Sequence, residues 1–437
     1  MEIKIVKMGI NGEGIGYINN KPTFVMSAFV DEVADISIIE DHKSYQIARC
    51  DKIISPAVSR VKSVCSSTEC HSCPLIEMDY KYQLIYKKQL VSEALYKYAR
   101  IASRQVQDVV SNPSPLNYRN QLKLPVKTIN KRLVSGMYQP DSNRFVLVEH
   151  CVVHQERLEA IRKEILTVLN NYQVKSYDVK TSSGLRHLFI RGFDQQYQCC
   201  LITGNDDLDN AMLDQLAKIK DLVSISQSVN TQRQGYDLFG SKVNNLRGKN
   251  YIEVYLDNYK YQLSPRSFFQ LNKLQATNIY RYVSDFINAQ DVVVDAYCGI
   301  GSMTMFVQAK AKKTIGIESS SDAINDAKTN ARLNKAQNTK FILGDAAKQL
   351  IKITNMEKAN VLIINPPRSG LSDEMIDSII DSQINKMIYV SCNPSTLAKN
   401  LNKLQSVYEV ESIKPFDMFS YTPLVETVVS LKRKVKR

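Results

Sequence analysis

The chain has 437 residues, 44% of them hydrophobic, which is enough for two to four domains with cores of their own. Its 57 Lys+Arg against 44 Asp+Glu give a net charge of +13, which favours a polyanionic partner, most simply nucleic acid, over a merely basic protein. No apolar run approaches the ~18–20 residues that span a membrane, and the early charges of MEIKIVKMGINGEG exclude a signal-peptide core, so a cytoplasmic protein without a membrane partner is expected.

Residues 1–60 read as a small β module. Short apolar runs (IKIV, PTFVMSAFV, VADISIIE) alternate with the turn signals NGEG and NNK. This spacing predicts a five-stranded barrel of the kind that binds nucleic acid. Residues 61–255 predict a mixed α+β central domain. QLIYKKQLVSEALYKYARIASRQVQDVV reads as a long helix broken by SNPSP, and RFVLVEHCVV and LRHLFIRGF read as strands. The lysines and tyrosines of DYKYQLIYKK suit phosphate contact and base stacking, and equally an amphipathic helix. Across residues 256–437 strand and helix signals alternate, which predicts a parallel doubly wound α/β domain. The chain then closes on the basic tail LKRKVKR.

Nine cysteines in a cytosolic chain of this length suggest metal or catalysis rather than a disulfide framework. Cys65, Cys70 and Cys73 form a C-x4-C-x2-C run in CSSTECHSC. Such crowded thiolates point to a metal, with Cys151 of EHCVVH as the fourth ligand. Because His71, His150 and His154 share these segments, the chemistry leaves zinc and an iron–sulfur cluster both open.

The α/β portion carries four polar residues at strand ends. VVVDAYCGIGS (292–302) runs an apolar strand through Asp295 into a glycine-bearing turn that lets the backbone approach a ligand. It lacks the third glycine of the dinucleotide fingerprint. TIGIE ends in Glu318, placed to accept hydrogen bonds from a ribose diol. GDA carries Asp345, near where an adenine edge lies, and NPP carries Asn365. This series describes an S-adenosylmethionine fold better than a nicotinamide one. In MIYVSCNPSTLAKNL (387–401), Asn393-Pro394 stops a buried strand and Ser395 is placed to cap a helix, so Cys392 stands at the mouth of a sheet. On position alone, a reactive thiol and a small buried hydrophobe fit equally.

Taken together these segments resemble the uracil-5 RNA methyltransferase family, over nearly the whole chain. GINGEGIGYINNKPTFVMSAFVDE resembles the family's TRAM RNA-binding module, and CSSTECHSC with Cys151 the [4Fe-4S] ligands of its 23S rRNA-type members. YRNQLKLPV, LSPRSFFQLN, DAYCGIGS, INPPRSGL, VSCNPSTLAKNL and FDMFSYTPLVETV follow in the family's order. The resemblance implies an N-terminal TRAM-like barrel (1–60), a central cluster-bearing domain (61–255) and a C-terminal Rossmann-like methyltransferase domain (256–437). It implies Cys392 as nucleophile and Glu426 as general base. Gln270, Tyr297, Ser302, Glu318, Asp345 and Asn365 would contact S-adenosylmethionine or its surroundings, and Phe268 would line the base pocket. Cys65, Cys70, Cys73 and Cys151 would hold the [4Fe-4S] cluster, zinc being the alternative. The implied partner is RNA, 23S rRNA before tRNA, with no obligate protein partner. The chain departs from the family at Asn365, usually Asp; at Leu424, usually His; and in the first cysteine gap, which is five residues in some members.

The chemistry explains these residue types. Uracil carbon 5 is a poor nucleophile until a thiolate adds at carbon 6 and turns the ring into an enolate. After methyl transfer, a carboxylate must take the carbon-5 proton before the thiol can leave. An amino-group methyltransferase built on NPP usually has an aromatic next, where Arg368 stands. A non-catalytic RNA-binding protein would need neither Cys392 nor Glu426.

Overall fold

The computed structural model describes residues 1–139, 142, 144–232 and 237–435; the last two residues of the basic tail lie outside them. The chain divides into two compact units. The first comprises Met1–Pro115, Pro367–Leu371 and Val390–Leu431; the second comprises Leu116–Pro366, Ser372–Tyr389 and Lys432–Arg437.

The first unit begins with six strands: β1 (Glu2–Lys4), β2 (Lys7–Met8), β3 (Gly14–Ile18), β4 (Lys21–Met26), β5 (Val33–Asp41) and β6 (Gln46–Ser55). They form one sheet in the order β1-β5-β6-β4-β3-β2. Its core is the alternate-residue set Ile3, Ile5, Val25, Ala34, Ile36 and Ala48. The expected closed five-stranded barrel is not found: among the described residues β1 and β2 end the sheet and do not pair. β1 and β2 are successive pieces of one extended run, Val6 N between them donating to the Ile15 carbonyl at 2.9 Å, so they cannot pair with each other.

Helix α1 (Tyr80–Ala99) starts on Asp79, whose carboxylate accepts from Lys81 N at 3.0 Å. It stops well before the predicted end at Val110. Arg100 takes a left-handed φ of 57° and returns its N–H to the last turn. Val106 and Val110 instead bridge in parallel to Ile413 and Phe416, a long-range pairing that overrides the helical pattern.

The second unit holds a seven-stranded sheet built from β7 (Gln121–Ile129), β8 (Arg132–Tyr138), β9 (Phe145–Leu147), β10 (Leu185–Phe193), β11 (Gln196–Thr203), β12 (Leu222–Val229) and β13 (Asn244–Gly248). Its order is β13-β12-β11-β10-β7-β8-β9. Helices α2 (Glu156–Asn171) and α3 (Asn210–Leu216) bury Leu158, Ile161, Ile165, Leu169 and Met212 with this sheet's core residues. LRHLFIRGF is the strand predicted; RFVLVEHCVV yields only the three-residue β9.

A hairpin, β14 (Ile252–Leu256) with β15 (Tyr259–Leu263), leads through residues 264–272 into α4 (Lys273–Ser284). Five parallel strands follow: β16 (Val292–Ala296), β17 (Lys313–Glu318), β18 (Thr339–Leu343), β19 (Val361–Ile364) and β20 (Lys386–Ser391). They alternate with α5 (Ser302–Gln308), α6 (Ser321–Leu333), α7 (Ala346–Glu357) and α8 (Asp373–Asp381). The order β18-β17-β16-β19-β20 reverses direction between β16 and β19. This is the Rossmann-like α/β arrangement expected, and its switch point is where such sheets take ligands.

After β20 the chain forms α9 (Pro394–Leu404), β21 (Tyr408–Phe416) and β22 (Glu426–Arg433). No described helix is long and apolar enough to cross a membrane.

Candidate active site

The nucleophile candidate sits where its sequence context places it. β20 is buried along Met387–Ser391, and Asn393 caps α9, accepting from Ser395 N at 3.0 Å and Thr396 N at 3.4 Å, with Pro394 opening the helix. Cys392 lies at this strand-to-helix turn, half-buried. Its neighbours within the first unit are Arg368 and Glu426. Burial, then the Glu426 carboxylate, push the Cys392 thiol up; the Arg368 guanidinium, which hydrogen-bonds it, pulls it back down.

Arg368 is held by a tight turn. Gly370 N donates to the Pro367 carbonyl at 2.9 Å, and Gly370 has a φ of +78°. A Cβ there would come within 2.6 Å of Asn400 Oδ1, which accepts from Leu371 N at 3.0 Å. The Arg368 carbonyl accepts from Asn393 Nδ2 and Thr396 Oγ1, both at 3.2 Å. The turn and the start of α9 therefore position one another, and the exposed Arg368 side chain reaches Cys392.

Glu426 opens β22 and is buried at 5% exposure. Burial raises its carboxyl to about 7, opposed by Arg368. Among the described residues its Oε2 has no hydrogen-bond partner, a costly state for a buried carboxylate and a common mark of function. The segment before it is pinned to α1. Asp417 accepts from Lys87 Nζ, from Tyr80 Oη at 2.7 Å and from Ser420 Oγ at 2.6 Å. Lys87 Nζ also donates to the Phe419 carbonyl at 3.0 Å, and Tyr421 N donates to Gln83 Oε1 at 2.9 Å. Lys87 and Asp417 are both fully buried. Sequence reading passed over this pair, since a lysine in an amphipathic helix and an acid 330 positions on carry no mutual signal.

The second unit carries the other candidates. β16 leads into a turn in which Tyr297, Gly299 and Gly301 have φ values of 64°, 56° and 78°. A Cβ at Gly299 would meet nothing within 4 Å, so the glycine turn leaves open space for a ligand. Glu318 ends β17: its Oε2 accepts from Gly299 N at 3.2 Å and its Oε1 from Ser319 N at 2.7 Å and Ser320 N at 2.9 Å. Asp345, beyond β18, caps α7, with Oδ1 accepting from Lys348 N at 3.1 Å. Tyr297 is half-buried, and its phenol is raised by burial and by the Asp345 and Glu318 carboxylates. Those three residues thus share one neighbourhood at adjacent strand ends. Asn365 follows β19 and Ser302 begins α5. Asp295, one turn behind, is buried, accepts from Thr304 Oγ1 at 2.5 Å and is raised to about 7 by burial.

Gln270 and Phe268 lie on the loop before α4. Phe269 is core, packed edge-on against Phe193 at 5.2 Å, whereas Phe268 is 73% exposed.

The expected metal ligands fall in both units. Cys65, Cys70 and Cys73 are partly buried, and Cys70 Sγ lies 3.2 Å from Ser72 Oγ. In the second unit the Cys151 thiol is hydrogen-bonded by His154, whose Nδ1 lies 2.7 Å from Glu159 Oε1. Among the described residues no three of His, Cys, Asp and Glu are grouped to hold a metal ion. The [4Fe-4S] expectation, and zinc with it, is not supported.

The model of the family described as tRNA (Uracil-5-)-methyltransferase matches residues 79–434. An uncharacterized RNA methyltransferase of Clostridium tetani is 34% identical, over 97% of this chain and 94% of its own. One from Caldanaerobacter subterraneus is 33% identical, over 99% and 98%. Among solved structures, the tRNA (uracil-54, C5)-methyltransferase of Pyrococcus abyssi, in complex with S-adenosyl-L-homocysteine, superposes with a TM-score of 0.80 at 23% identity, covering 99% of this chain and 100% of its own.

Proposed function

The chain belongs to the tRNA (uracil-5-)-methyltransferase family, and from that premise we propose that it methylates carbon 5 of a uridine in RNA through a covalent adduct on Cys392. The observation that carries this reading is the Cys392–Arg368–Glu426 group: a half-buried thiol, a guanidinium that favours its thiolate, and a buried carboxylate with an unpartnered oxygen.

S-adenosylmethionine supplies the methyl group. Gln270, Tyr297, Ser302, Glu318, Asp345 and Asn365 are the residues that would hold it or its surroundings. The open glycine turn and the acid at the end of the next strand suit a nucleoside with a ribose diol.

The Cys392 thiolate adds to carbon 6 of the uracil, and the ring electrons move to carbon 5 as an enolate. Carbon 5 takes the methyl group. The Glu426 carboxylate then removes the carbon-5 proton, and the returning electron pair expels the thiolate. A carboxyl held near 7 suits that proton transfer at neutral pH. Phe268 stacks on the flipped base. Asn365 reads its edge, its amide accepting from the ring N–H and donating to the adjacent carbonyl, where an aspartate only accepts.

We take 23S rRNA as the substrate, on the resemblance of the N-terminal module and the cysteine run to rRNA-type members, and the three-part division at residues 60 and 255 belongs to the same reading. A tRNA substrate is favoured instead by the Pyrococcus abyssi relative. One experiment separates these. The protein is incubated with S-adenosylmethionine and 5-fluorouridine transcripts of 23S rRNA or tRNA, beside Cys392→Ala. Fluorine does not leave as a proton does, so a thiol-adduct enzyme stalls on its RNA. A denaturation-resistant complex that requires Cys392 is expected with rRNA; one with tRNA alone moves the substrate. Methylation of ordinary RNA by Cys392→Ala overturns the covalent route.

A further inference from the structure

The loop 264–272 is gripped from two sides by a buried cation and a partly buried carboxylate that the proposed chemistry does not use. Arg191, on β10, is 1% exposed. Its Nη1 donates to the Ser267 carbonyl and its Nη2 to the Ser264 carbonyl, each at 2.6 Å. With the Gln198 amide turned to face it, the amide oxygen accepts from Nη2 at 2.7 Å and from Nε at 3.0 Å. From the other side, Asp326 of α6 accepts from Ser264 Oγ at 3.1 Å and from Ser267 Oγ. The backbone of 264–267 is thus clasped by a buried cation at its carbonyls and a carboxylate at its hydroxyls. Burial lowers the Arg191 guanidinium to about 9 while Asp326 opposes the shift, so it stays charged at neutral pH.

The far end of the loop is equally fixed. Asn120 donates from Nδ2 to the Gln270 carbonyl at 2.9 Å and from its backbone N to the Leu271 carbonyl at 3.0 Å. Phe269 is locked in the core. Between these anchors stands Phe268, 73% exposed. A phenyl ring left in water, on a loop whose neighbours are held by buried charge, is the reverse of what hydrophobic collapse alone produces.

We infer that Arg191, with Asp326, is a positioning residue for the target base: it holds the 264–267 backbone so that Phe268 is presented outward, ready to stack on a uracil drawn from its RNA. This rests on the reading of Phe268 given above, and the test separates the two. Arg191→Met, Arg191→Lys, Ser267→Ala, Phe268→Ala and the double variants of Phe268→Ala with Arg191→Met and Ser267→Ala are compared. Two readouts are used: the rate of covalent trapping on 5-fluorouridine RNA, and the affinity for S-adenosylhomocysteine by calorimetry.

Arg191→Met is expected to slow trapping about tenfold to a hundredfold, the scale of two lost charge-assisted hydrogen bonds. Cofactor-product affinity should stay within about twofold, and Arg191→Lys should restore part of the rate. In the Phe268→Ala background, Arg191→Met should add less than about twofold, because both act on one ring. Ser267→Ala, which removes no charge, should slow trapping less and also fail to add; it decides the matter if Arg191→Met does not fold. Parallel loss of trapping and of S-adenosylhomocysteine binding makes Arg191 merely structural and overturns the inference, as do additive effects. Phe268→Ala trapping at the wild-type rate overturns the stacking role and the clasp with it. A slow Phe268→Ala beside wild-type Arg191→Met and Ser267→Ala overturns the clasp alone.

Discussion

Glu426 shows how one residue can serve chemistry against stability. Its folded-state carboxyl titrates near 7, against an ordinary value of 4.5, because burial disfavours the charge more than Arg368 restores it. Methylation should therefore rise as pH passes through about 7, since only the carboxylate accepts the carbon-5 proton, and a turnover–pH profile checks this. The stability consequence has the opposite sign. A carboxyl raised on folding contributes most below 4.5, and that contribution is lost as pH climbs through 7. Glu426→Gln should thus gain on the wild type between pH 5 and pH 8 by about 2.5 kcal/mol, most of the full shift at about 1.36 kcal/mol per pH unit. Denaturant midpoints at the two pH values test it; an unchanged difference would sink the argument. The same variant should lose turnover and accumulate the Cys392 adduct on ordinary RNA. That Cys392 and Glu426 belong to one group was legible only through resemblance. Nothing local in LVETV distinguishes Glu426 from a solvated glutamate, and the burial that raises its carboxyl comes from the strand it opens.

At the scale of elements, the segment before Glu426 is held to α1 through Lys87 and Asp417. Both side chains are buried, so each charge depends on the other. Lys87→Met leaves a buried carboxylate without its cation, the Tyr80 and Ser420 hydroxyls still donating to it, and should cost about 3–5 kcal/mol, read as a fall in the urea midpoint. Lys87→Met/Asp417→Leu, with no buried charge left, should recover much of that loss; a double variant as unstable as the single would show the pair acts through packing alone. The same helix marks the limit of pattern reading. Its amphipathic period was legible and its end was not, because Arg100 adopts a left-handed conformation and Val106 and Val110 find partners beyond residue 410. Strand and helix alternation after residue 256 was legible throughout, since parallel buried strands are near-continuous apolar runs. The pairing of the N-terminal strands was not: apolar alternation gives strands and does not say which of them lie side by side.

For the whole molecule, the charge of +13 predicts phosphate-led binding. If about six phosphates are neutralised, affinity for substrate RNA should fall about a thousandfold between 50 and 200 mM salt. Fluorescence anisotropy across that range gives the slope, and a flat dependence would exclude phosphate contact as the driving term. The sequence by itself determined the α/β alternation, the glycine turn with its strand-end acids, and the thiol at a strand-to-helix turn. These are local matters, set by periodicity, φ preferences and caps within a dozen residues. Only the tertiary structure decided which of two adjacent phenylalanines is presented to solvent, that Arg368 reaches Cys392, and that Glu426 is buried with an oxygen unpartnered among the described residues. Each depends on residues tens to hundreds of positions apart. Burial and desolvation, which fix exposure and pKa, are properties of the packed chain and have no counterpart in local spacing.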